Sequence, residues 1–229
     1  MNKQIKSKAL APSLLFAMLL AASGTALAGI SSTKHNLSTS GTGTIKATAQ
    51  TEICVFCHTP HGASTVANTP LWNHSLSAVT SYGVYSNTNS INATDITAIT
   101  ATDGSTSSLC LSCHDGTIAV NAQNNVSNNA LGEAMQGGTG AGNAFMSVTG
   151  NLGGTNTALT NDHPVNFTYD TTLVNADTKL TAVASLTEVK LFTGKVQCAS
   201  CHDVHDSTNV PFLRASMSGS SLCLKCHVK

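Results

Sequence analysis

Along most of its length this chain lacks a hydrophobic rhythm. One unbroken apolar run stands out, Ala9 to Ala22, behind an opening that carries Lys3, Lys6 and Lys8; Ser23–Ala28 follows and ends in an Ala-x-Ala pattern before Gly29. A basic start, a short apolar run and a small-residue cleavage site predict a signal peptide over residues 1–28, since the run is too short and wrongly flanked to span a membrane. Residues 29–50 are rich in Ser, Thr and Gly with no periodic apolar positions, which predicts an extended N-terminal arm. Tyr82 and Tyr85 alternate around Gly83-Val84, compatible with a short strand or an irregular wrap, and the Gly, Asn, Ala and Ser of 121–157 read as surface loop. Pro164 fixes its own φ and biases His163 to extended geometry, predicting an ordered turn over 162–170. Residues 179–193 can form a short helix or a strand pair. The predicted fold class is mostly irregular chain with short helices and few or no regular strands.

Composition sharpens this reading. Only 10% of the residues are charged, and the formal net charge is zero. Without a basic patch nucleic acid is an improbable partner, and weak self-repulsion is compatible with close association of like subunits. One Trp, three Tyr and six Phe are few for the core of a chain of 229 residues. Some other apolar mass has to fill that place.

The cysteines supply a candidate. All eight fall in four Cys-x-x-Cys-His motifs: Cys54/Cys57/His58, Cys110/Cys113/His114, Cys198/Cys201/His202 and Cys223/Cys226/His227. Residues i, i+3 and i+4 share one face of a helical turn, so two thiols can bond a porphyrin edge while the imidazole reaches the iron. A disulfide, a thioredoxin-like pair or half a zinc site would explain one such motif, but none of them requires the His four times over. The pattern therefore predicts four covalently bound c-type haems in a domain over 51–229, with motif pairs at 54–114 and 198–227. The haem stack would replace the hydrophobic core, and the apo chain would be largely unfolded.

Four irons need four distal ligands. Nine histidines less four leaves His35, His61, His74, His163 and His205. Met135, Met146 and Met217 are further possible ligands, but two of them lie in Gly-rich sequence with little to fix them, which favours His at every iron. His61 and His205 each follow their own proximal His by three residues, so they lie on the same side of that macrocycle. They would serve a neighbouring haem, most simply the other member of each pair. His163 is braced by Pro164. His35 lies nineteen residues before Cys54, and an extended arm of that length spans roughly 60 Å, enough to reach a far haem or one in the next subunit. His74, beside Trp72, is either an alternative distal ligand or the spare. The last motif ends two residues before the C-terminus, which places its haem near the surface. A His-bearing arm at one end and that haem at the other point to head-to-tail association.

The motifs also repeat in order. Cys-His-x-x-His occurs at 57–61 and 201–205, and SLCLSCH at 108–114 nearly matches SLCLKCH at 221–227. The succession KHNLS (34–38), CVFCHTPHG (54–62), LWNHSL (71–76), LCLSCHDGT (109–117), DHPVNF (162–167), CASCHDVHD (198–206) and LCLKCH (222–227) resembles the doubled Cys-x-x-Cys-His cytochromes. Within them it resembles the extracellular tetrahaem cytochrome nanowires of metal-reducing bacteria, of the OmcE-like type. The resemblance implies bis-His haems in a continuous stack, polymerisation, and one axial His donated by the adjacent subunit. Carried over by motif, the distal ligands are His35, His61, His163 and His205, with His35 as the intersubunit donor. The expected function is electron transfer, not catalysis, by a secreted filament acting with other redox cytochromes or extracellular acceptors. The alternatives are a monomeric periplasmic shuttle, in which His35 serves its own chain, and a small-molecule reductase, which needs an iron with an open position.

Overall fold

The computed structural model describes residues 28–66, 68–77, 79–85, 92–126, 133–146, 152 and 158–228. The expected signal peptide lies outside them but for Ala28, as do parts of the 121–157 loop.

Regular structure comes in short pieces, as the missing periodicity predicts. Helices are α1 (Ala28–Ser31), α2 (Thr106–His114), α3 (Thr171–Ala176) and α4 (Cys198–Cys201). Strands of two residues are β1 (Lys46–Ala47), β2 (Gly83–Val84), β3 (Met135–Gln136), β4 (Ala158–Leu159), β5 (Phe167–Thr168) and β6 (Lys195–Val196). β1 pairs antiparallel with β3, β5 antiparallel with β6, and β2 parallel with β4. The tyrosine-flanked segment at Gly83-Val84 is thus a strand, and its partner lies far along the chain. Residues 179–193 hold a short 3₁₀ helix at Val183–Ser185. No helix among the described residues is long and apolar enough to cross a membrane.

Apolar residues gather in four small clusters instead of one core, and each adjoins a Cys-x-x-Cys-His motif. Phe56 of the first motif packs with Ala47, Val120 and Met135. Leu111 of the second packs with Tyr82, Ile99 and Leu159. Val196, two residues before the third, packs with Phe167, Tyr169 and Leu173. Leu222, before the fourth, packs with Val189 and Leu213.

Buried polar side chains join these clusters. Asn166 Oδ1 accepts from Gln197 Nε2 at 3.0 Å, Gln197 Oε1 accepts from Ser107 Oγ at 2.5 Å, and Ser107 Oγ accepts from Cys198 N–H at 3.0 Å. This chain of bonds locks α2, which carries the second motif, to α4, which carries the third. α2 starts at Ser105, whose hydroxyl caps Ser108 N–H at 3.1 Å. α4 starts at Gln197, which shares a reciprocal cap with Ser200.

The arm expected over 29–50 is not extended. Asn36 and Ser38 are fully buried, and Ala47 belongs to the first cluster. Asn36 Nδ2 donates to Ser31 O at 2.8 Å, while its Oδ1 accepts from Ser38 N–H and from Ser38 Oγ at 2.6 Å. Ala47 N–H donates to Leu37 O at 2.8 Å. A Cβ at Gly41 would lie 1.9 Å from Asn36 O, so only glycine permits this close return. Short polar side chains that bond local backbone fold such a segment without any apolar periodicity.

Candidate haem sites

Each motif forms a single tight turn. The first lies on a 3₁₀ turn over Cys54–Phe56, with His58 N–H bonded to Cys54 O at 2.8 Å. In the third, His202 N–H bonds Cys198 O at 3.1 Å, and in the fourth, His227 N–H bonds Cys223 O at 2.9 Å. The second closes α2. None of the eight cysteines is paired in a disulfide. Among the described residues no group of three or more His, Cys, Asp or Glu is placed to hold a bare metal ion.

The motifs are neighbours in space. Burial, then the nearby Cys113 and Cys54, pushes the Cys57 thiol up to about 12, and burial likewise pushes Cys113 up to about 12. Cys110 is raised by its hydrogen bond to Cys198, whose own value that bond lowers to about 7. Burial raises Cys201 and Cys226, with Cys223 acting on both. The thiol edges therefore run from the first motif to the second, third and fourth.

Backbone carbonyls hold two of the motif imidazoles. His58 Nδ1 lies 2.7 Å from Pro70 O, and His202 Nδ1 lies 3.0 Å from Pro211 O. His163 Nδ1 makes the same kind of contact with Pro164 O at 2.9 Å. A carbonyl only accepts, so each Nδ1 is the protonated donor and Nε2 keeps its lone pair for a metal. Pro70 and Pro211 were not expected to take part. The signal was present in the Pro-Leu-Trp-Asn and Pro-Phe-Leu-Arg that follow the two Cys-His-x-x-His segments, but their unequal offsets conceal the repeat.

Three motif histidines each face a histidine from outside the motifs. Ring centroids are 5.9 Å apart for His35 and His114, 6.2 Å for His58 and His205, and 6.4 Å for His163 and His227. Two imidazoles on opposite sides of one iron, each nitrogen about 2 Å from the metal, hold their centroids about 6 Å apart. Among the described residues His61 and His202 have no ring partner at that spacing. His205 does not turn toward the fourth motif, the other member of its pair. It crosses to the first, because the two Cys-His-x-x-His segments come together in the fold. Likewise His35 meets His114 of its own chain, since residues 29–50 fold inward.

His35 suits a metal. Its Nδ1 is buried with no hydrogen-bond partner. Burial, with His114 and His202 nearby, lowers its pKa to about 4, so the ring is neutral at ordinary pH. His74 differs. It is 1% exposed, its Nδ1 lies 2.7 Å from Ser75 O, and its Nε2 lies 3.0 Å from Ala119 O. Burial lowers its pKa against the pull of those carbonyls, so the ring is neutral and donates to one of them, while Cys113 Sγ lies 3.4 Å from its Nε2. Of the methionines weighed as ligands, Met135 packs in the first cluster with Met146 against it, and Met217 is exposed.

Carboxylates follow two motif histidines. Asp115 accepts from Ser77 Oγ, from Tyr82 OH at 2.5 Å, and from Thr117 N–H and Oγ1 at 2.8 and 2.7 Å. Burial acts to raise its pKa, but the bonds from Ser77, Tyr82 and Thr117 outweigh it and hold the carboxyl below the usual range. Asp203 is instead paired with Arg214 Nη1 at 2.8 Å.

The residues fit c-type haem: each motif sets two thiols on one turn beside an imidazole, Nδ1 contacts orient His58 and His202, and a second imidazole lies at the axial spacing from His58, His114 and His227. The buried, unpartnered indole N–H of Trp72, 6.1 Å from His58 between ring centroids, is a further donor beside the first site. No curated protein matches the chain. Residues 191–229 match the family described as the doubled CXXCH motif, which indicates covalently bound c-type haem and points to a multihaem c-type cytochrome.

Proposed function

We propose that this chain is an exported tetrahaem c-type cytochrome that carries electrons between redox partners. Haem, once attached, supplies the one-electron iron couple, and the polypeptide sets its ligands, spacing and surroundings. Cys54 and Cys57, Cys110 and Cys113, Cys198 and Cys201, and Cys223 and Cys226 hold the four groups. His58 and His205 share the first iron, His114 and His35 the second, and His227 and His163 the fourth. His202 holds the third, with His61 as the remaining histidine to complete it. The observation that carries this reading is the set of three motif-to-outside histidine pairs at 5.9–6.4 Å. With both axial positions filled by side chains an iron has no place for a substrate, which favours electron transfer over small-molecule reduction. The apolar run of Ala9–Ala22 behind its lysines supports export.

His35 beside His114 favours a discrete carrier over a filament tied together by a donated ligand. Electron microscopy of the holo-protein beside a His35→Ala variant tests this. Separate particles in both, with one iron turning high-spin in the variant, are expected. Filaments that dissolve in the variant would restore the donated-ligand polymer.

A further inference from the structure

The first and third motifs are held by one device, built twice. After each Cys-His-x-x-His segment the chain returns antiparallel to the motif. In the first copy Thr59 N–H donates to Leu71 O and Asn73 N–H to Cys57 O, both at 2.9 Å. In the second, Asp203 N–H donates to Phe212 O at 2.7 Å and Arg214 N–H to Cys201 O at 2.9 Å. The fourth motif has the same two-bond bracket: Val228 N–H donates to Lys179 O at 2.7 Å and Thr181 N–H to Cys226 O at 2.8 Å. Leu71, Phe212 and Lys179 are therefore equivalent positions.

Their backbones differ. Leu71 has φ +54° and Phe212 has φ +61°, whereas Lys179 is not left-handed. This conformation is unfavourable for a residue with a Cβ, and more so for a bulky one. A strained backbone that recurs at two equivalent places is held there by what it accomplishes. In both copies the carbonyl just before the left-handed residue, of Pro70 or Pro211, is the one delivered to the motif imidazole.

The geometry points to Leu71 and Phe212 as positioning residues, whose left-handed backbone turns the Pro70 and Pro211 carbonyls onto His58 and His202. Both imidazoles thereby become stronger electron donors, and the first and third haems acquire lower reduction potentials than the same ligands would otherwise give. A carbonyl that accepts from Nδ1–H leaves more electron density on Nε2, which stabilises the oxidised iron over the reduced. The inference rests on the axial roles of His58 and His202 proposed above.

Leu71 is the position to test. It is 56% exposed, whereas the Phe212 ring packs tilted against His35, centroids 4.6 Å apart, so changing it would disturb a second site. Leu71→Ile introduces a β-branched residue that resists positive φ, and Leu71→Pro locks φ near −65°. Leu71→Gly adopts the left-handed backbone freely. Redox titration of each holo-protein, with absorption spectra and the exchange rate of the His58 Nδ1 proton, is the measurement. In the Ile variant one haem of the four should become easier to reduce, by about tenfold in its oxidised-to-reduced ratio, or about 59 mV for a one-electron couple. Its Nδ1 proton should exchange faster, and the Gly variant should match the wild type. Unchanged titration in the Ile variant, or equal shifts in Ile and Gly, would overturn the inference. If the Pro variant does not fold, the Ile and Gly pair still decides. A wild-type spectrum without low-spin haem would instead strike the functional reading, so the two failures are distinguishable.

Discussion

Replacing Asp115 by Asn asks how far buried polar bonding holds the second motif in place. The carboxylate is 3% exposed and Tyr82 is fully buried. Ser77 Oγ, Tyr82 OH and Thr117 Oγ1 converge on Oδ2, while Thr117 N–H donates to Oδ1. Asn has the same shape but only one acceptor. With its oxygen at the Oδ2 position, three bonds fall from charged to neutral strength, a loss of about 1 kcal/mol each. The amide NH₂ then faces Thr117 N–H, and an unsatisfied buried donor costs about 1 kcal/mol more. The expected destabilisation is about 4 kcal/mol, a large part of the margin of an ordinary domain. Guanidinium unfolding of the holo-protein followed by circular dichroism measures it, with Tyr82→Phe as a partial control that removes one bond. The sign with pH follows from the lowered carboxyl. Its contribution is complete above about pH 4, where an unfolded aspartate ionises, and is lost as pH falls through the lower folded value. The wild type should therefore lose stability in acid more steeply than the Asn variant. A loss under about 1 kcal/mol, or parallel acid profiles, would refute the reasoning.

His74→Gln should leave every iron low-spin while lowering stability by about 1–3 kcal/mol, because the buried ring and its single N–H bond to a backbone carbonyl are both replaced; a new high-spin signal would make His74 a ligand. Arg214→Met should cost about 2 kcal/mol, since Arg214 is 10% exposed and gives up bonds to Ala199 O and Asp203. Lys225→Met, which breaks the more open pair with Glu188, should cost far less, because solvent screens that pair. Chemical denaturation of both variants checks the contrast.

The four attachment motifs were legible because covalent attachment and ligation demand fixed residue types at fixed spacing. The irregular fold was legible for the opposite reason, the missing periodicity. What the sequence concealed is set by tertiary approach. His205 meets His58 only because two distant segments lie together, and β2 finds β4 across a long stretch of chain. The inward fold of residues 29–50 depends on Asn36 and Ser38 bonding backbone, which leaves no apolar pattern. Pro70 and Pro211 follow their histidines at different offsets, twelve and nine residues, so a register-bound comparison misses them. Five histidines outside four Cys-x-x-Cys-His motifs could not be sorted by spacing. Burial of His74 between two carbonyls, visible only in the fold, is what sets it apart from the other four.

The claim that each iron lies between two histidines is tested most directly by electron paramagnetic resonance of the oxidised holo-protein, quantified against haem content. Four haems per chain, all with low-spin iron, is the predicted result. Fewer than four haems, or a high-spin signal equal to one iron or more per chain, would contradict it.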